Sequence, residues 1–530
     1  MTNTIGSEKK QVSRAAGIVG FYTFLSRILG LVRDMVMARY FGAGMLADAF
    51  FVAFRIPNLL RRLFAEGSLT IAFIPIFTEY LTKKTKEDAF ELARIVFTLL
   101  SIILVIVTVL GIFLSPWIVR IQAPGFGSIG DKYELTVLLT QITFPYIFLI
   151  SLVALFMGIL NSLRHFSAPA AAPIFLNVGI IGAIVWISPH LSQPIVGVAM
   201  GVIVGGILQV ALQVPWIIKA GISLMPLWIP EHPAVKRIGY LMLPAVFGSA
   251  IYQFNQFIGT LLASLLPEGS VSWLYYADRL VQFPLGVFAI AISTAALPSL
   301  AKQAADNNHN DFQDTLTHSL RLTFFITIPS MAGLIILGRP IIQLFFEGGG
   351  FIAHDTLMTS YALIFYSVGL WAFSGTRIIV SAFYALQDTK TPVRIAFAAM
   401  VANIILSLLL MGPLKHGGLA LALSLASSIQ FCLLAFLIRR KLPTWELRPV
   451  FISMGKIVIS SVVMGVAVKY LYLSRFLPDS EWDTIQLLIN VLGVILIGVV
   501  IYFVMARILG CRELSSILDI FRPLLNRSKQ

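Results

Sequence analysis

Charge is what this sequence has least of. Only 12% of its 530 residues are Asp, Glu, Lys or Arg, against 58% hydrophobic ones; soluble domains carry about 25% charged and 45–50% apolar residues. A chain so poor in charge cannot clothe a water-facing surface, which excludes a soluble enzyme and a disordered scaffold. Cysteine is nearly absent too. Cys432 lies in an apolar run and Cys511 just past the last one, which argues against a disulfide-built module and against a four-ligand metal site. The seven histidines are scattered through loops and run ends without metal spacing. No glycine-rich phosphate loop followed by Lys-Ser/Thr occurs, and no nucleophile–base arrangement is readable. Glu347–Phe351 reads EGGGF, but no lysine follows it, and the segment reads as a turn. Nothing points to an enzyme, a cofactor or a bound metal. Acidic residues are outnumbered, 25 against 39 Lys and Arg, for a net charge of +14. In a membrane protein that excess reflects loop bias before it reflects nucleic acid.

What is present is apolar length, with a mean hydropathy of +0.88. A membrane-crossing helix needs about 20 mostly apolar residues. Fourteen such runs occur, near 15–41, 49–80, 93–119, 134–161, 169–188, 194–218, 236–265, 271–301, 314–338, 356–386, 392–411, 417–438, 450–473 and 484–508. The first lacks a small-residue cleavage site and reads as a retained span, not a signal peptide. Strand-like alternation is absent, so the fold class is an all-α integral membrane protein with fourteen transmembrane helices. With the N-terminus cytoplasmic, 22 Lys and Arg fall on cytoplasmic segments and their flanks. Only five, Lys132, Arg339, Lys415, Lys469 and Arg475, fall opposite. This asymmetry predicts that both termini are cytoplasmic.

Landmarks recur at nearly one offset, from Gly44 and Gly269 at 225 residues to Gln209 and Gln430 at 221. Arg55 in ADAFFVAFRIPN matches Arg279 in WLYYADRLVQFP, Ile74-Pro75 matches Leu297-Pro298, and Pro169 matches Pro392, each pair 223 or 224 residues apart. Six spans separate the copies, so the halves share one orientation. The expected layout is two six-helix lobes related by pseudo-twofold symmetry about the membrane normal, plus two C-terminal helices. In residue numbers this is 1–230, 231–441 and 442–509, with a cytoplasmic tail at 510–530.

Twelve cationic residues remain at membrane depth or just inside a boundary, half of them in the first two spans. A charge at the bilayer centre costs about 2.5–3.5 kcal/mol on insertion scales, so the cluster needs a reason. Arg27 and Asp34 are seven apart and share a helical face, with Arg33 on an adjacent one. Asp48, Arg55 and Arg62 recur every seven residues, and Glu66 follows Arg62 by four. Ion pairs locking two helices would explain any single arginine. They explain the set poorly, because Arg27, Arg33, Arg55, Arg61, Arg62 and Arg279 outnumber Asp34, Asp48, Glu66 and Asp278. The surplus is positive and points to an anionic substrate, phosphate suiting forked guanidiniums best. A pump for organic cations would invert the pattern.

SRILGLVRD at Ser26–Asp34, ADAFFVAFRIPNLLRRLFAEGSLTIAFIP at Ala47–Pro75, YYADRL at Tyr275–Leu280 and QDTKTPVR at Gln387–Arg394 closely resemble the MurJ-type lipid II flippases of the multidrug/oligosaccharidyl-lipid/polysaccharide exporter superfamily. The resemblance covers essentially all fourteen runs. It implies a bacterial inner-membrane transporter that moves the undecaprenyl-pyrophosphate-linked peptidoglycan precursor, lipid II, from the cytoplasmic to the periplasmic leaflet for cell-wall synthesis. It also implies a lipid-tail groove at the last two helices, with membrane lipids and other cell-wall synthesis proteins as partners and no nucleic acid. Substrate-binding arginines carry over to Arg27, Arg33, Arg61 and Arg279. Asp34, Asp48 and Glu66 take a supporting role in orienting them, and Arg55 and Arg62 stand among the supporting residues. The alternatives are a flippase for another lipid-linked oligosaccharide, a multidrug antiporter of the same superfamily, and a non-transporting scaffold. Two departures stand out. Ile258-Gly259-Thr260 replaces a stretch in which some members carry a sodium-binding carboxylate, and FEGGGF replaces the common F-E-R-G-x-F.

Overall fold

The computed structural model describes residues 2–61, 69–128, 130–475 and 483–515. Among them every regular element is helical: α1 Thr2–Phe41, α2 Met45–Leu60, α3 Thr70–Lys83, α4 Lys86–Gln122, α5 Lys132–Thr143, α6 Tyr146–Ser162, α7 Ser167–Gly182, α8 Ile195–Lys219, α9 Pro233–Ser264, α10 Ser270–Pro284, α11 Ile290–Ala305, α12 His309–Phe346, α13 Ala353–Val368, α14 Leu370–Ala385, α15 Lys390–Lys441, α16 Arg448–Arg475 and α17 Thr484–Ile508. Nine helical stretches among the described residues are long and apolar enough to cross a membrane, or ten if α13 and α14, bent by 41°, form one span. The 52 residues of α15 are broken at Lys415 (φ 50°, ψ −132°) and cover two of the expected runs. With α1, the α2–α3 pair and α9 on three further runs, the helices are consistent with fourteen crossings.

Several crossings are broken, and each break has a local cause. Pro145 has no amide to donate and sits between α5 and α6. A π-helical turn at 285–289 follows Pro284 and separates α10 from α11. Lipid tolerates such breaks where neighbouring helices satisfy the freed backbone groups. By contrast, α4 runs unbroken for 37 residues from a capping box, in which Thr85 Oγ1 accepts the Asp88 amide (3.1 Å) and Asp88 Oδ2 accepts the Thr85 amide (3.2 Å).

The 223-residue offset reappears in helix ends. Phe41 and Ser264 end α1 and α9, Lys86 and His309 begin α4 and α12, and Ser167 and Lys390 begin α7 and α15. A break repeats as well: the α5–α6 break corresponds to α13–α14. Two copies of one six-span unit therefore run in series, followed by α16 and α17.

Contacts divide the chain into two compact units, Met1–Ser272 with Gly348–Phe351, and Trp273–Glu347 with Ile352–Gln530. In the first, Phe73, Phe77, Leu92, Phe156, Leu160, Ile217 and Ile238 form the main core. Helices α7 and α8 approach so closely there that a Cβ on Gly179 would lie 2.6 Å from the Gly205 backbone, the close packing that small residues allow in lipid. In the second, Phe312, Phe324, Phe325, Phe383, Leu434, Ile457, Val494 and Tyr502 share one core. Helices α16 and α17 belong to it; the Tyr502 hydroxyl donates to the Phe325 carbonyl on α12 at 2.7 Å. Large apolar side chains such as Phe113 (76% exposed) and Trp186 (74%) cover the outside, as a lipid-facing surface requires.

Candidate functional site

The expected substrate arginines fall in both units. In the first, α1 carries Arg27 and Arg33. Arg33 is half-buried, and its Nε and Nη2 donate to Oδ1 of Asp34 at 3.0 and 2.7 Å. Its Nη1 donates to Oδ1 of Asn177 on α7 at 3.1 Å. Asn177 is itself fixed, its Nδ2 donating to the carbonyls of Ser26 (3.2 Å) and Pro173 (3.3 Å). The guanidinium is therefore held from two sides by groups only 3% and 5% exposed. Seven-residue spacing pairs Asp34 with Arg27, yet the structure gives Asp34 to the adjacent Arg33. Arg27 is exposed, with no side-chain hydrogen bond or ion pair among the described residues.

On α2, Arg55 donates from Nη1 to Oε1 of Gln256 on α9 at 3.2 Å. Arg61 follows the end of α2 and donates from Nε to Oδ1 of Asn58, three residues back, at 3.1 Å. Arg62 and Glu66 lie outside the described residues.

Asp48, expected to orient arginines, has other partners. Its carboxylate accepts Lys132 Nζ at 2.8 Å and the Gly269 amide at 2.9 Å on Oδ2, and the Ser272 amide (2.9 Å) and hydroxyl (2.6 Å) on Oδ1. Lys132, a loop charge by sequence, is 1% exposed, and its ammonium also lies 4.1 Å from the Phe126 ring centroid. The four bonds occupy the whole carboxylate and leave nothing to offer an arginine.

In the second unit, the guanidinium of Arg279 on α10 lies over the Tyr275 ring, 4.5 Å from its centroid, one turn back along the same helix. Asp278 instead accepts Gln282 Nε2 at 3.3 Å. Stacking on tyrosine holds the guanidinium plane by cation–π attraction without neutralising its charge.

Sequence reasoning missed Asn177, Gln256, Lys132 and Tyr275. A lone amide inside the apolar run 169–188 was the one available signal for Asn177. Among the described residues no three His, Cys, Asp or Glu side chains converge on a metal-sized site. A Cβ on Gly259 of α9 would meet open space.

Residues 37–493 match the family model described as Lipid II flippase MurJ. The probable lipid II flippase MurJ of Vibrio cholerae serotype O1 is 38% identical over 510 residues, covering 95% of this chain and 97% of that protein. The lipid II flippase MurJ of Burkholderia cenocepacia is 39% identical over 432 residues, covering 81% and 84%. A solved structure described as lipid II flippase MurJ in an inward closed conformation is similar with a TM-score of 0.77 and 30% identity, over 96% of this chain and 99% of that one. An inward-facing multidrug transporter of the MATE family reaches a TM-score of 0.70 at 14% identity, over 79% and 95%, a likeness of fold alone. Arg61 and Arg279 fall within the residues that match the family model, and Arg27 and Arg33 precede them; with coverage this complete the chain belongs to the MurJ lipid II flippase family of multi-pass membrane transporters.

Proposed function

We propose that this chain flips lipid II, the undecaprenyl-pyrophosphate-linked disaccharide-peptide, from the cytoplasmic to the periplasmic leaflet of the bacterial inner membrane by alternating access. Arg27, Arg33, Arg61 and Arg279 hold the pyrophosphate. The observation that carries the site is Arg33: a guanidinium inside a span, fixed between Asp34 and Asn177, beside an exposed arginine with no carboxylate of its own. Fixed planar donors aimed at a doubly charged phosphate ester exchange its hydration for oriented hydrogen bonds. The isoprenoid tail stays in lipid, along α16 and α17. The excess of Lys and Arg on one side supports cytoplasmic termini.

With no phosphate loop for ATP, the membrane potential or an ion gradient drives the cycle; about 2.3 kcal/mol is available per elementary charge moved through 100 mV. The cycle is not tightly coupled to sodium, because Gly259 supplies no carboxylate.

The test is flipping of fluorescent lipid II in proteoliposomes carrying the wild type or Arg27→Ala, Arg33→Ala, Arg61→Ala or Arg279→Ala. Each variant should insert normally and lose flipping, and lysine should restore only part, since a point charge replaces a fork. Wild-type rates from any alanine variant remove that residue from the site. A steep, saturable sodium requirement in the same vesicles overturns the reading of Gly259.

A further inference from the structure

Four of the twelve cations at membrane depth or just inside a boundary fall in the second unit: Arg279, Arg321, Arg377 and Lys456. Three of them have partners. Arg321 on α12 donates from Nε to Oε1 of Glu513 at 2.5 Å, Lys456 on α16 donates to the Gly510 carbonyl at 3.2 Å, and Arg279 lies over the Tyr275 ring. Arg377 on α14 is exposed, and its side chain makes no hydrogen bond or ion pair among the described residues. Its backbone does the bonding instead. The Arg377 carbonyl accepts the hydroxyls of Ser381 (3.1 Å) and of Ser293 on α11 (3.4 Å), and those two hydroxyls lie 2.6 Å apart. The serines pin α11 to α14 at this level and leave the guanidinium unused.

Arg377 sits eight residues before Ala385, where α14 ends, a rise of about 12 Å. Within α14 only Arg377 and Tyr384 are exposed; they are seven apart and so share a face. Neither α11 nor α14 carries an acidic residue. The adjoining surface is not made for lipid either. Beyond Ile290, every exposed position of α11 is Ala, Thr, Pro, Ser or Lys, with Ala291, Thr294, Ala295, Pro298 and Ser299 at helical spacing. The exposed positions of α17 show what lipid calls for, among them Ile485, Ile489, Leu496, Val500 and Ile508. A guanidinium with no counter-charge, beside hydroxyl-bearing and small side chains, marks a water-filled surface, and intramembrane cations on such surfaces line substrate paths.

Arg279 lies fourteen residues before Ser293 in the single helical stretch Ser270–Ala305, about 20 Å at helical rise. One pyrophosphate does not reach both arginines. We propose that Arg377 forms a second oxyanion subsite, which holds a negatively charged oxygen group of the lipid II head away from the pyrophosphate position at Arg279. A carboxylate of the head's peptide, or the pyrophosphate at another stage of its passage, supplies the same chemistry: acceptor oxygens that match the fork of a guanidinium. The subsite rests on the flipping reading above.

The test compares flipping of fluorescent lipid II in proteoliposomes carrying the wild type, Arg377→Ala, Arg377→Lys or Lys302→Ala. Arg377→Ala should insert and melt like the wild type, and should slow flipping at least about tenfold, the scale of one lost hydrogen bond to a charged group. Lysine should restore part of the rate. Lys302→Ala removes an exposed cation from the last turn of α11 and should flip at the wild-type rate. An equal loss there would mean a general effect of charge and overturns the subsite, as does full-rate flipping by Arg377→Ala. A lipid II analogue with amidated peptide carboxylates separates the two sources. If Arg377→Ala and the wild type move it equally fast, the anion is a peptide carboxylate; if the defect persists, it is the pyrophosphate. Should Arg377→Ala not insert, Thr294→Cys in a chain with Cys432→Ser and Cys511→Ser decides without touching the arginine. Relative to a free thiol in solution, this reporter should react faster with an anionic than with a cationic membrane-impermeant thiosulfonate, and lipid II should slow the reaction. No preference for the anionic reagent, or no reaction from either face, overturns the proposal. Wild-type vesicles that flip nothing sink the proposed function and the subsite with it, whereas wild-type flipping with a full-rate Arg377→Ala sinks the subsite alone.

Discussion

Asp34 and Asp48 are both buried aspartates of the first two helices, 3% and 1% exposed, yet their partners differ in kind. Asp34 accepts from Nε and Nη2 of the half-buried Arg33, which also reaches Asn177. Asp48 takes four donors from Lys132, Gly269 and Ser272, all of them buried. The first arrangement orients a cation whose side chain remains 17% exposed; the second consumes a cation completely, with Lys132 and Asp48 each 1% exposed. A charge in lipid is expensive in either case. The accompanying exposure separates a charge retained to meet a ligand from one retained to fasten helices.

The comparison breaks most directly at Asp48. Asp48→Ala strands the Lys132 ammonium in a dry site, and removing one partner of a buried pair costs about 3–5 kcal/mol. The expected outcome is a large fall in detergent thermal stability and little inserted protein. Asp48→Asn combined with Lys132→Met removes both charges and should recover much of the loss, since replacing a whole buried pair by groups of similar volume is often neutral. A single alanine variant as stable as wild type would show that Asp48 is not a fastening group.

Asn177 tests the other half with a smaller effect. Asn177→Ala deletes one hydrogen bond to a charged group, worth about 1.5–3 kcal/mol, and frees Arg33 to swing about Asp34. Lipid II flipping should fall about tenfold, a loss near the lower end of that range, while Arg33→Ala abolishes it. Stability should move little, because Arg33 keeps Asp34. Equal flipping by Asn177→Ala and wild type would mean that Asn177 does not set the guanidinium.

These two clusters also mark what a sequence can and cannot show. Arginines inside apolar runs are conspicuous because lipid penalises them, so Arg27, Arg33 and Arg279 stand out unaided. Asn177 and Gln256 do not, because a neutral amide costs far less and scarcely disturbs hydropathy. Lys132 misleads for another reason: it lies just before an apolar run, where a lysine ordinarily faces water, and only the fold brings Asp48 against it. The spans and their repeat were legible from hydropathy and the 223-residue offset, which returns in the ends of α1 and α9 and the starts of α4 and α12. The breaks within spans were not. Residues 134–161 read as one run, but α5 ends at Thr143 and α6 starts at Tyr146, with Pro145 between them; apolar composition does not show where a proline withholds its amide from a helix.

A third carboxylate, Asp388, lies in the QDTKTPVR segment between α14 and α15 and extends the comparison toward solvent. Its Oδ2 lies 2.6 Å from Lys441 Nζ at the end of α15, and the Thr391 hydroxyl (2.7 Å) and amide (3.0 Å) donate to the same carboxylate. The Lys441 hydrogen bond, aided by Thr391 and opposed by partial burial, holds the Asp388 carboxyl well below its ordinary value of 3.8. A carboxyl whose folded pKa is depressed stabilises the fold fully above its unfolded pKa and progressively less as pH falls toward the folded value. Asp388→Asn should therefore lower the detergent melting temperature slightly and by a constant amount from pH 7 down to about pH 5, with the gap to wild type narrowing below about pH 4. The effect is the smallest of the three because Lys441 is 44% exposed and water screens such a pair. In Lys441→Ala, most of the pH dependence of the Asp388→Asn difference should disappear. A gap that widens on acidification would mean that the carboxyl is protonated in the folded protein, and the clasp would then owe nothing to charge.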